Sequence, residues 1–288
     1  MVPPRLQSQF GTHAHGRAWL ASLPRLLDEC TELWQLRVEP AYPDGNASLA
    51  LPATRPDGTA VVLKIQFPHL ESAYEAAALQ LWNGDGAVRL LAHDEERHAL
   101  LVERCTPGTH LSEIGRDAAL DVLIGLLPRL WKPAGPPFRT LETEAEQWID
   151  HLPAEWREAG QPFEESLLHT IVAMLDELAH SQGEQVLLHQ DLHGDNVLRA
   201  EREPWLTIDP KPLVGERELG VAPIVRSSEL GHSPEAVRGR LARLTDDLGL
   251  DAERARWWTV TQTLAWAFDG PRVLERHVDV VRWLLADT

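Results

Sequence analysis

Three oxygen-bearing side chains occur close together in the second half of this 288-residue chain. Asp191 is followed five residues later by Asn196, and Asp209 comes at the end of the next apolar segment. Because two short apolar segments bracket a polar loop here, we expect a strand–loop–strand arrangement that gathers the three side chains around one cleft. One carboxylate would orient an acceptor hydroxyl, while an amide oxygen and a second carboxylate would hold Mg²⁺ against a triphosphate. The spacing therefore predicts phosphoryl-transfer chemistry, with Asp191 as the base and Asn196 and Asp209 as metal ligands.

A lysine in an apolar, β-branched segment is the second candidate. Lys64 is one of only three lysines among the 27 basic residues, so its retention at this position is notable. The ordinary alternative is a strand-edge lysine that extends its amine to solvent. Glu71 and Glu75 follow in the next predicted helix, and Glu75 borders its apolar stripe, where an unpaired carboxylate would be costly. We therefore predict that Glu75, rather than Glu71, pairs with Lys64.

The elements that must position these residues change in character near residue 106. An amphipathic helix is predicted within residues 1–33, and one further helix is predicted over residues 68–82. The predicted strands span residues 36–38, 47–51, 60–65, 88–91 and 99–102. Antiparallel succession is the simplest arrangement of such short strands. Residues 1–105 are therefore predicted to form a small lobe with a five-stranded antiparallel sheet.

Residues 106–288 are predicted to form a larger, mostly helical lobe, starting at the break Thr106-Pro107-Gly108. Apolar residues recur there at three- and four-residue intervals, interrupted by the strand-rich stretch around Asp191. The predicted helices span residues 111–130, 142–156, 164–180, 234–248, 252–268 and 271–285. The fold class is thus α+β with two lobes.

The run His189 to Asn196, with Asp209 after the next strand, resembles the catalytic loop and metal site of the aminoglycoside phosphotransferase family, which has a protein-kinase-like fold. The longer runs 188–199, 205–211 and 214–216 are similar to the streptomycin 6-phosphotransferase and hydroxyurea phosphotransferase group. The resemblance covers residues 35 to 270. Gln190 and Pro212 stand where the family commonly has glycine, but neither change removes the base or a metal ligand.

The resemblance also implies a nucleotide site in the first lobe. Lys64, positioned by Glu75, would contact the α- and β-phosphates of ATP, with GTP as the alternative nucleotide and Mg²⁺ as the metal. The hairpin around Asn46 and Ser48 would cover the phosphates, although a plain surface hairpin is an alternative for this segment. Glu103 and Cys105 would belong to the backbone hinge that binds adenine, with Cys105 as an apolar wall residue.

The charge balance bears on the acceptor. The chain has 27 basic and 44 acidic residues, a formal charge of −17, which argues against a nucleic-acid partner. It fits a neutral or cationic small molecule, and Glu216 and Asp269 are candidates to face such a cation. With two cysteines, no apolar run long enough to cross a membrane and no signal-like leader, we expect a cytoplasmic protein, monomeric or weakly dimeric.

The predicted function is an ATP- and Mg²⁺-dependent O-phosphotransferase that acts on a streptomycin-like aminoglycoside and confers resistance. One alternative is a kinase of another hydroxyl compound, such as hydroxyurea or an endogenous alcohol. Another is a kinase-shaped binding protein without activity, which the intact set of Lys64, Asp191, Asn196 and Asp209 disfavours. A hydrolytic metal site at His189, His193 and Asp195 is disfavoured because this His-x₃-His lies in a loop.

Overall fold

The computed structural model describes residues 2–43, 45, 47–70 and 72–286 and divides into two compact units. The first unit comprises Met1–Gly108 together with Arg199–Leu206, and the second comprises Thr109–Leu198 with Thr207–Thr288. The short segment 199–206 thus groups with the N-terminal unit although it lies far along the chain. The division of functions between residues 1–105 and 106–288 stays a prediction.

Two helices, rather than one, open the first unit. Helix α1 spans Pro4–Phe10 and helix α2 spans Ala14–Leu33. Between them the imidazole Nδ1 of His13 accepts a hydrogen bond from the Gly16 amide at 3.0 Å and caps α2. The capping side chain therefore starts a new helix where the apolar spacing alone predicted continuity.

The sheet of the first unit has five antiparallel strands in the order β1-β2-β3-β5-β4. The strands are β1 Arg37–Val38, β2 Ser48–Thr54, β3 Ala60–Gln66, β4 Leu90–Asp94 and β5 Ala99–Glu103. Leucine, valine and isoleucine side chains of β2 and β3 pack with α1 and α2 in one apolar core. The predicted five-stranded antiparallel sheet is confirmed.

Helix α3 spans Glu75–Trp82 and starts seven residues later than predicted. The Ser72 hydroxyl donates to the carbonyls of Phe67 (3.1 Å) and His69 (3.0 Å), which folds the preceding segment into a turn instead of a first helical turn. Strand β4 also starts two residues later than predicted, and its register shifts between Leu90 and Ala92. Neither difference changes the order of the elements.

The second unit is mostly helical. Its helices are α4 Arg116–Leu130, α5 Leu141–Glu158, α6 Glu165–His180, α7 Ala222–Arg226, α8 Pro234–Leu248, α9 Ala252–Ala265 and α10 Glu275–Leu285. A 3₁₀ turn at Leu111–Glu113 precedes α4 where a continuous helix was predicted. Within the part of the chain that the structure describes, no helix is long and apolar enough to cross a lipid bilayer.

Short strands interrupt these helices around the predicted catalytic loop. Strand β6, Gln185–Leu188, pairs antiparallel with β9, Leu213–Glu216. Between them, β7 Val197–Arg199 and β8 Trp205–Thr207 form a hairpin. A last hairpin, β10 Phe268–Asp269 with β11 Arg272–Val273, replaces the end of one predicted helix and the start of the next. The chain therefore delivers residues 189–196 and 208–212 from the ends of adjacent strands.

Candidate active site

Lys64 and Glu75 form a closed ion pair in the first unit. The Lys64 Nζ lies 2.8 Å from Oε1 and 2.7 Å from Oε2 of Glu75, and both residues are buried. Strand β3 lies in the middle of the sheet and Glu75 is the first residue of α3, so rigid elements hold both partners. Glu75 is thus the predicted partner, whereas Glu71 lies outside the described residues. The role of the pair in binding phosphates stays a prediction.

Gln66 is a third member of this cluster that the sequence analysis missed. Its amide Nε2 donates to Glu75 Oε2 at 2.6 Å, and the residue is buried. Gln66 lies two positions after Lys64 on the same strand, so both side chains face the same side of the sheet. This two-residue spacing from Lys64 was the feature of the sequence that could have identified Gln66. Gln66 helps to fix the Glu75 carboxylate against the lysine.

The segment predicted to be the adenine hinge is anchored by an arginine from the distant hairpin. Arg202 donates from Nε and Nη2 to the two oxygens of Glu103, at 2.8 and 2.9 Å, and also to the Gly84 and Ala87 carbonyls. Burial raises the pKa of Glu103, but hydrogen bonds from Arg202 and the Arg89 amide outweigh it and hold this pKa below its usual value. Arg202 and the Arg89 amide therefore engage the Glu103 carboxylate, so a nucleotide at this residue would meet its backbone and not its side chain.

Three further residues were predicted to contact the nucleotide: Cys105, Ser48 and Asn46. Burial raises the pKa of the Cys105 thiol to about 12, so the sulfur stays protonated and fits an apolar wall rather than a nucleophile. Ser48 is buried as the first residue of β2, opposite Gln66. Asn46 lies outside the described residues. Contact of these three residues with a nucleotide stays a prediction.

In the second unit, backbone hydrogen bonds join the loop after β6 to the segment after β8. The His189 Nε2 donates to the Ile208 carbonyl at 3.0 Å, the Lys211 amide donates to the His189 carbonyl at 2.9 Å, and the Ile208 amide donates to the Asn196 carbonyl at 2.9 Å. Burial lowers the pKa of His189 to about 4, so the ring is neutral and braces the loop. Asn196 and Asp209 are consequently brought next to one another.

Gln190 shows why glycine is common at its position in related loops. Its φ of +63° lies in the left-handed region, which costs a residue with a Cβ about 1 kcal/mol. The side chain of Gln190 is buried. Asp209 also adopts a positive φ, +55°, in the turn after β8, and it is exposed.

The orientation of Asn196 fits a divalent metal ion. Its Nδ2 donates to the Asp191 carbonyl at 2.8 Å and lies 3.2 Å from the His193 Nε2. Because a carbonyl can only accept, the NH₂ side of the amide is fixed toward the loop and the oxygen Oδ1 is turned away from it. The amide oxygen of Asn196 and the exposed carboxylate of Asp209 are hard oxygen donors, the type that Mg²⁺ prefers.

Three basic side chains lie around Asp191, each farther away than the usual length of an N–H···O hydrogen bond. Its Oδ2 is 3.5 Å from Lys211 Nζ, and its Oδ1 is 3.9 Å from both Arg226 Nη2 and His193 Nε2. Burial raises the pKa of Asp191, but Lys211, His193 and Arg226 outweigh it, so the pKa is lowered below its usual value. The carboxylate is ionised at neutral pH and keeps oxygens that can accept a hydrogen bond from a ligand.

Trp266 carries both of the larger cations beside Asp191. Lys211 Nζ and Arg226 Cζ each lie 4.6 Å from the centroid of its ring. Gln262 accepts from Arg226 Nη1 at 2.7 Å, and burial lowers the pKa of Arg226 to about 10, which leaves it protonated at neutral pH. The ring of Trp266 is therefore a platform for two cations.

The prediction that Glu216 faces a cationic acceptor is wrong. Its carboxylate is 1% exposed and accepts from Arg254 Nη2 at 2.7 Å, from the Gly183 amide at 2.9 Å and from the Trp258 indole. These partners complete its hydrogen bonding, so no acceptor can reach it. Asp269 is exposed in the β10–β11 hairpin, and its role in binding an acceptor stays a prediction.

The other polar residues of the loop are tied to neighbouring turns. Ser112 donates to the Asp195 carboxylate, and Glu229 accepts from the Gly194 amide. Together with His193, these two carboxylates form a cluster of metal-ligand type, which does not include His189. The hydrolytic metal site considered from the sequence needed His189, whose Nε2 is bonded to the Ile208 carbonyl instead.

Comparisons with known proteins identify the family. The α+β fold, with a five-stranded antiparallel sheet in the first unit and a mostly helical second unit, is protein-kinase-like. Residues 33–270 match the family model described as aminoglycoside/hydroxyurea antibiotic resistance kinase. The chain therefore belongs to this family, and the resemblance and the fold class predicted from the sequence are confirmed.

Two curated relatives and one solved fold illustrate the match. The chain is 40% identical to streptomycin 6-kinase of Streptomyces griseus over 272 residues, which cover 91% of this chain and 88% of the relative. It is also 40% identical to hydroxyurea phosphotransferase of Kitasatospora aureofaciens over 289 residues, 97% of this chain and 84% of the relative. The crystal structure of choline kinase LicA from Streptococcus pneumoniae superposes with a TM-score of 0.61 at 13% identity, covering 92% of this chain and 99% of that one.

The enzyme class follows from family membership. The chain is a phosphotransferase that uses a hydroxyl group as acceptor, and it uses a nucleotide as the phosphoryl donor. LicA has also been crystallised in complex with AMP, with a TM-score of 0.63 to this chain at 14% identity, over 92% of this chain and 98% of that one.

Proposed function

We propose that this protein transfers the γ-phosphoryl group of ATP to a hydroxyl of a streptomycin-like aminoglycoside, with Mg²⁺ as the metal. The observation that carries the proposal is the state of Asp191. It is an ionised, partly exposed carboxylate whose cations all lie 3.5–3.9 Å away, on the same loop as an asparagine whose amide oxygen is turned away from the loop. The 40% identity to a streptomycin 6-kinase supports the choice of acceptor.

Each unit contributes its own part to this proposal. In the first unit, Lys64 would contact the α- and β-phosphates, because its amine is already held by Glu75, whose carboxylate also accepts from Gln66. The hinge backbone at Glu103 and Cys105 would bind the base, and Asn46 and Ser48 would cover the phosphates. ATP is the proposed nucleotide, with GTP as the alternative.

In the second unit, Asn196 and Asp209 would hold Mg²⁺, which neutralises charge on the triphosphate when it is bound. Asp191 would accept a hydrogen bond from the acceptor hydroxyl and orient its oxygen for attack. Because the pKa of Asp191 is lowered, we assign it chiefly an orienting role, with the proton leaving late. An efficient general base would have a pKa closer to neutrality.

Hydroxyurea is the second candidate acceptor. The hydroxyurea phosphotransferase relative is equally similar and aligns with 97% of this chain. The cationic acceptor is supported by the formal charge of −17 and by Asp269, but no longer by Glu216. A non-catalytic binding protein is disfavoured, since binding alone needs neither Lys64 nor paired metal ligands. We place the activity in the cytoplasm, in a monomer or weak dimer.

Mass spectrometry of the acceptor tests this proposal. The purified protein would be incubated with ATP and Mg²⁺ and either streptomycin or hydroxyurea, and the acceptor would be weighed before and after. We expect streptomycin to gain one phosphoryl group while ADP accumulates in equal amount, and the Asp191→Ala variant to give almost no product. Phosphorylation of hydroxyurea alone would favour the second candidate, and no product from either acceptor would contradict the proposal.

A further inference from the structure

Arg226 is held from three sides beside Asp191. It is the last residue of α7, and its guanidinium carbon lies 4.6 Å from the centre of the Trp266 ring. Its Nη1 donates to Gln262 Oε1 at 2.7 Å, and Gln262 is fully buried. Its side chain is only 8% exposed, so burial, stacking and the hydrogen bond together restrict it to one orientation.

The Nη2 group of Arg226 lies nearest to Asp191 but is not hydrogen-bonded to it. Its Nη2 lies 3.9 Å from Asp191 Oδ1, which is too long for a hydrogen bond. Lys211, which shares the Trp266 ring, instead approaches the other carboxylate oxygen, Oδ2, at 3.5 Å. Arg226 therefore presents a fixed, charged N–H edge next to the base without using it on the base.

Phosphoryl transfer creates a need for such a donor. The phosphoryl group carries negative charge on its oxygens, and it must approach the hydroxyl that the negatively charged Asp191 orients. A guanidinium beside that carboxylate reduces the repulsion and can donate to a phosphoryl oxygen. Because its position is set before the reaction, no reorganisation is needed when charge develops.

We propose that Arg226 is a catalytic residue that donates a hydrogen bond from Nη2 to an oxygen of the phosphoryl group during its transfer. This inference rests on the proposed function. In the step, the bond between the γ-phosphorus and the β–γ bridging oxygen breaks, and its electron pair stays on ADP. A bond forms between the phosphorus and the acceptor oxygen, and the hydroxyl proton passes to Asp191 and then to solvent. Arg226 stays protonated throughout.

The Arg226→Met variant tests this role, because it removes the charge and the donors but keeps an unbranched apolar chain on Trp266. Arg217→Met is a matched control in the same unit. Arg217 also stacks over a tryptophan, with its Cζ 5.8 Å from the centre of the Trp131 ring, but it pairs with Glu184. Both variants would be compared with the wild type in three assays: transfer to the acceptor, ATP hydrolysis without acceptor, and binding of ADP with and without fluoroaluminate in the presence of Mg²⁺.

We expect Arg226→Met to lower both transfer and hydrolysis by about 10²–10³-fold, as removal of one preorganised donor does elsewhere. Fluoroaluminate imitates the phosphoryl group in flight, so it should tighten ADP binding to the wild type and to Arg217→Met but not to Arg226→Met. Binding of ADP alone should stay within about threefold in all three proteins. The hydrolysis and fluoroaluminate assays need no acceptor, so they test Arg226 even if both proposed acceptors fail.

Three results would overturn the inference. Transfer and hydrolysis by Arg226→Met at wild-type rates would show that the arginine contributes nothing. Loss of transfer with unchanged hydrolysis and an unchanged fluoroaluminate effect would show that it acts only on the acceptor. If Arg226→Met does not fold, Arg226→Gln is tested by the same criteria. Arg226→Lys should be faster than Arg226→Gln, because lysine restores the positive charge. If Arg226→Lys is no faster than Arg226→Gln, a charge-based role is contradicted.

Discussion

The two charge clusters of this protein differ in how tightly they are closed. In the first unit, Lys64 and Gln66 contact the Glu75 carboxylate at 2.6–2.8 Å, so its oxygens are engaged. In the second unit, the nearest cations stand 3.5–3.9 Å from Asp191. In the closed cluster, direct hydrogen bonds fix the position of the lysine side chain. In the open cluster, the nearby positive charges stabilise the ionised carboxylate but leave its oxygens able to accept hydrogen bonds from a ligand.

Glu216 belongs with the closed clusters although it lies in the same unit as Asp191. Arg254, Trp258 and the Gly183 amide occupy its carboxylate. Glu216 and Asp191 both carry carboxylates, and they differ in how closely their partners approach. We therefore expect closed hydrogen bonding to mark acids that support the fold, and open hydrogen bonding to mark an acid that can act on a ligand.

The largest effect should follow substitution of the open carboxylate. We expect Asp191→Ala to lower the rate of phosphate transfer by about 10²–10⁴-fold, because the acceptor hydroxyl loses its orienting partner. Initial rates of ADP release at saturating acceptor would measure it. Asp195→Ala is the matched control from the same loop, since that carboxylate is exposed and bonded to Ser112. Equal losses in the two variants would refute the special position of Asp191.

Opening the closed pair should cost stability as well as activity. We expect Lys64→Met to lower the free energy of unfolding by about 3 kcal/mol, because Glu75 is left buried without its main counter-charge. The double variant Lys64→Met with Glu75→Leu should recover most of that stability but none of the activity. Urea unfolding of both proteins gives the comparison, and recovery of activity along with stability would argue that Lys64 acts only on the fold.

A closed carboxylate without a role in catalysis should affect stability alone. We expect Glu216→Gln to lower the free energy of unfolding by about 1–3 kcal/mol, since the buried ion pair with Arg254 is lost. The kcat and the KM for the acceptor should stay at wild-type values when measured per folded molecule. A selective rise in acceptor KM would restore the substrate role that the structure removed from this residue.

The smallest effect is expected at Asp269, which is exposed. If this carboxylate attracts a cationic acceptor, Asp269→Asn should raise the acceptor KM by no more than about fivefold, the range of an exposed ion pair. Raised salt should produce a similar change in the wild type and a smaller one in the variant. A KM that is independent of both would remove Asp269 from the acceptor site.

The sequence was sufficient for features that depend on local pattern. Alternation predicted the strands that carry Lys64, and the apolar stripe of the next helix identified Glu75 as its partner. The start of α3 was wrong because hydrogen bonds from the Ser72 hydroxyl form a turn that periodicity does not encode. Local patterns thus located the elements and missed their ends.

Residues that act over long sequence separations could not be found in this way. Arg202 contacts Glu103 across 99 positions, and Glu216 is closed by Arg254 and Trp258 across about 40. Arg226 lies 35 positions from Asp191 in the sequence, and the fold brings its Nη2 to 3.9 Å from the Asp191 carboxylate. Arginine is common in this chain, so its presence at these positions carried no signal; only the fold brings each arginine to its carboxylate.

We propose that the closed Lys64–Glu75 cluster binds the nucleotide and that the open carboxylate of Asp191 acts on the acceptor; nucleotide binding tests this division most directly. Isothermal titration of a non-hydrolysable ATP analogue with Mg²⁺ into the wild type, Lys64→Met and Asp191→Ala would give three dissociation constants. We predict that Asp191→Ala stays within about threefold of the wild type and that Lys64→Met weakens binding at least about tenfold. Weakened binding in Asp191→Ala together with unchanged binding in Lys64→Met would contradict the account.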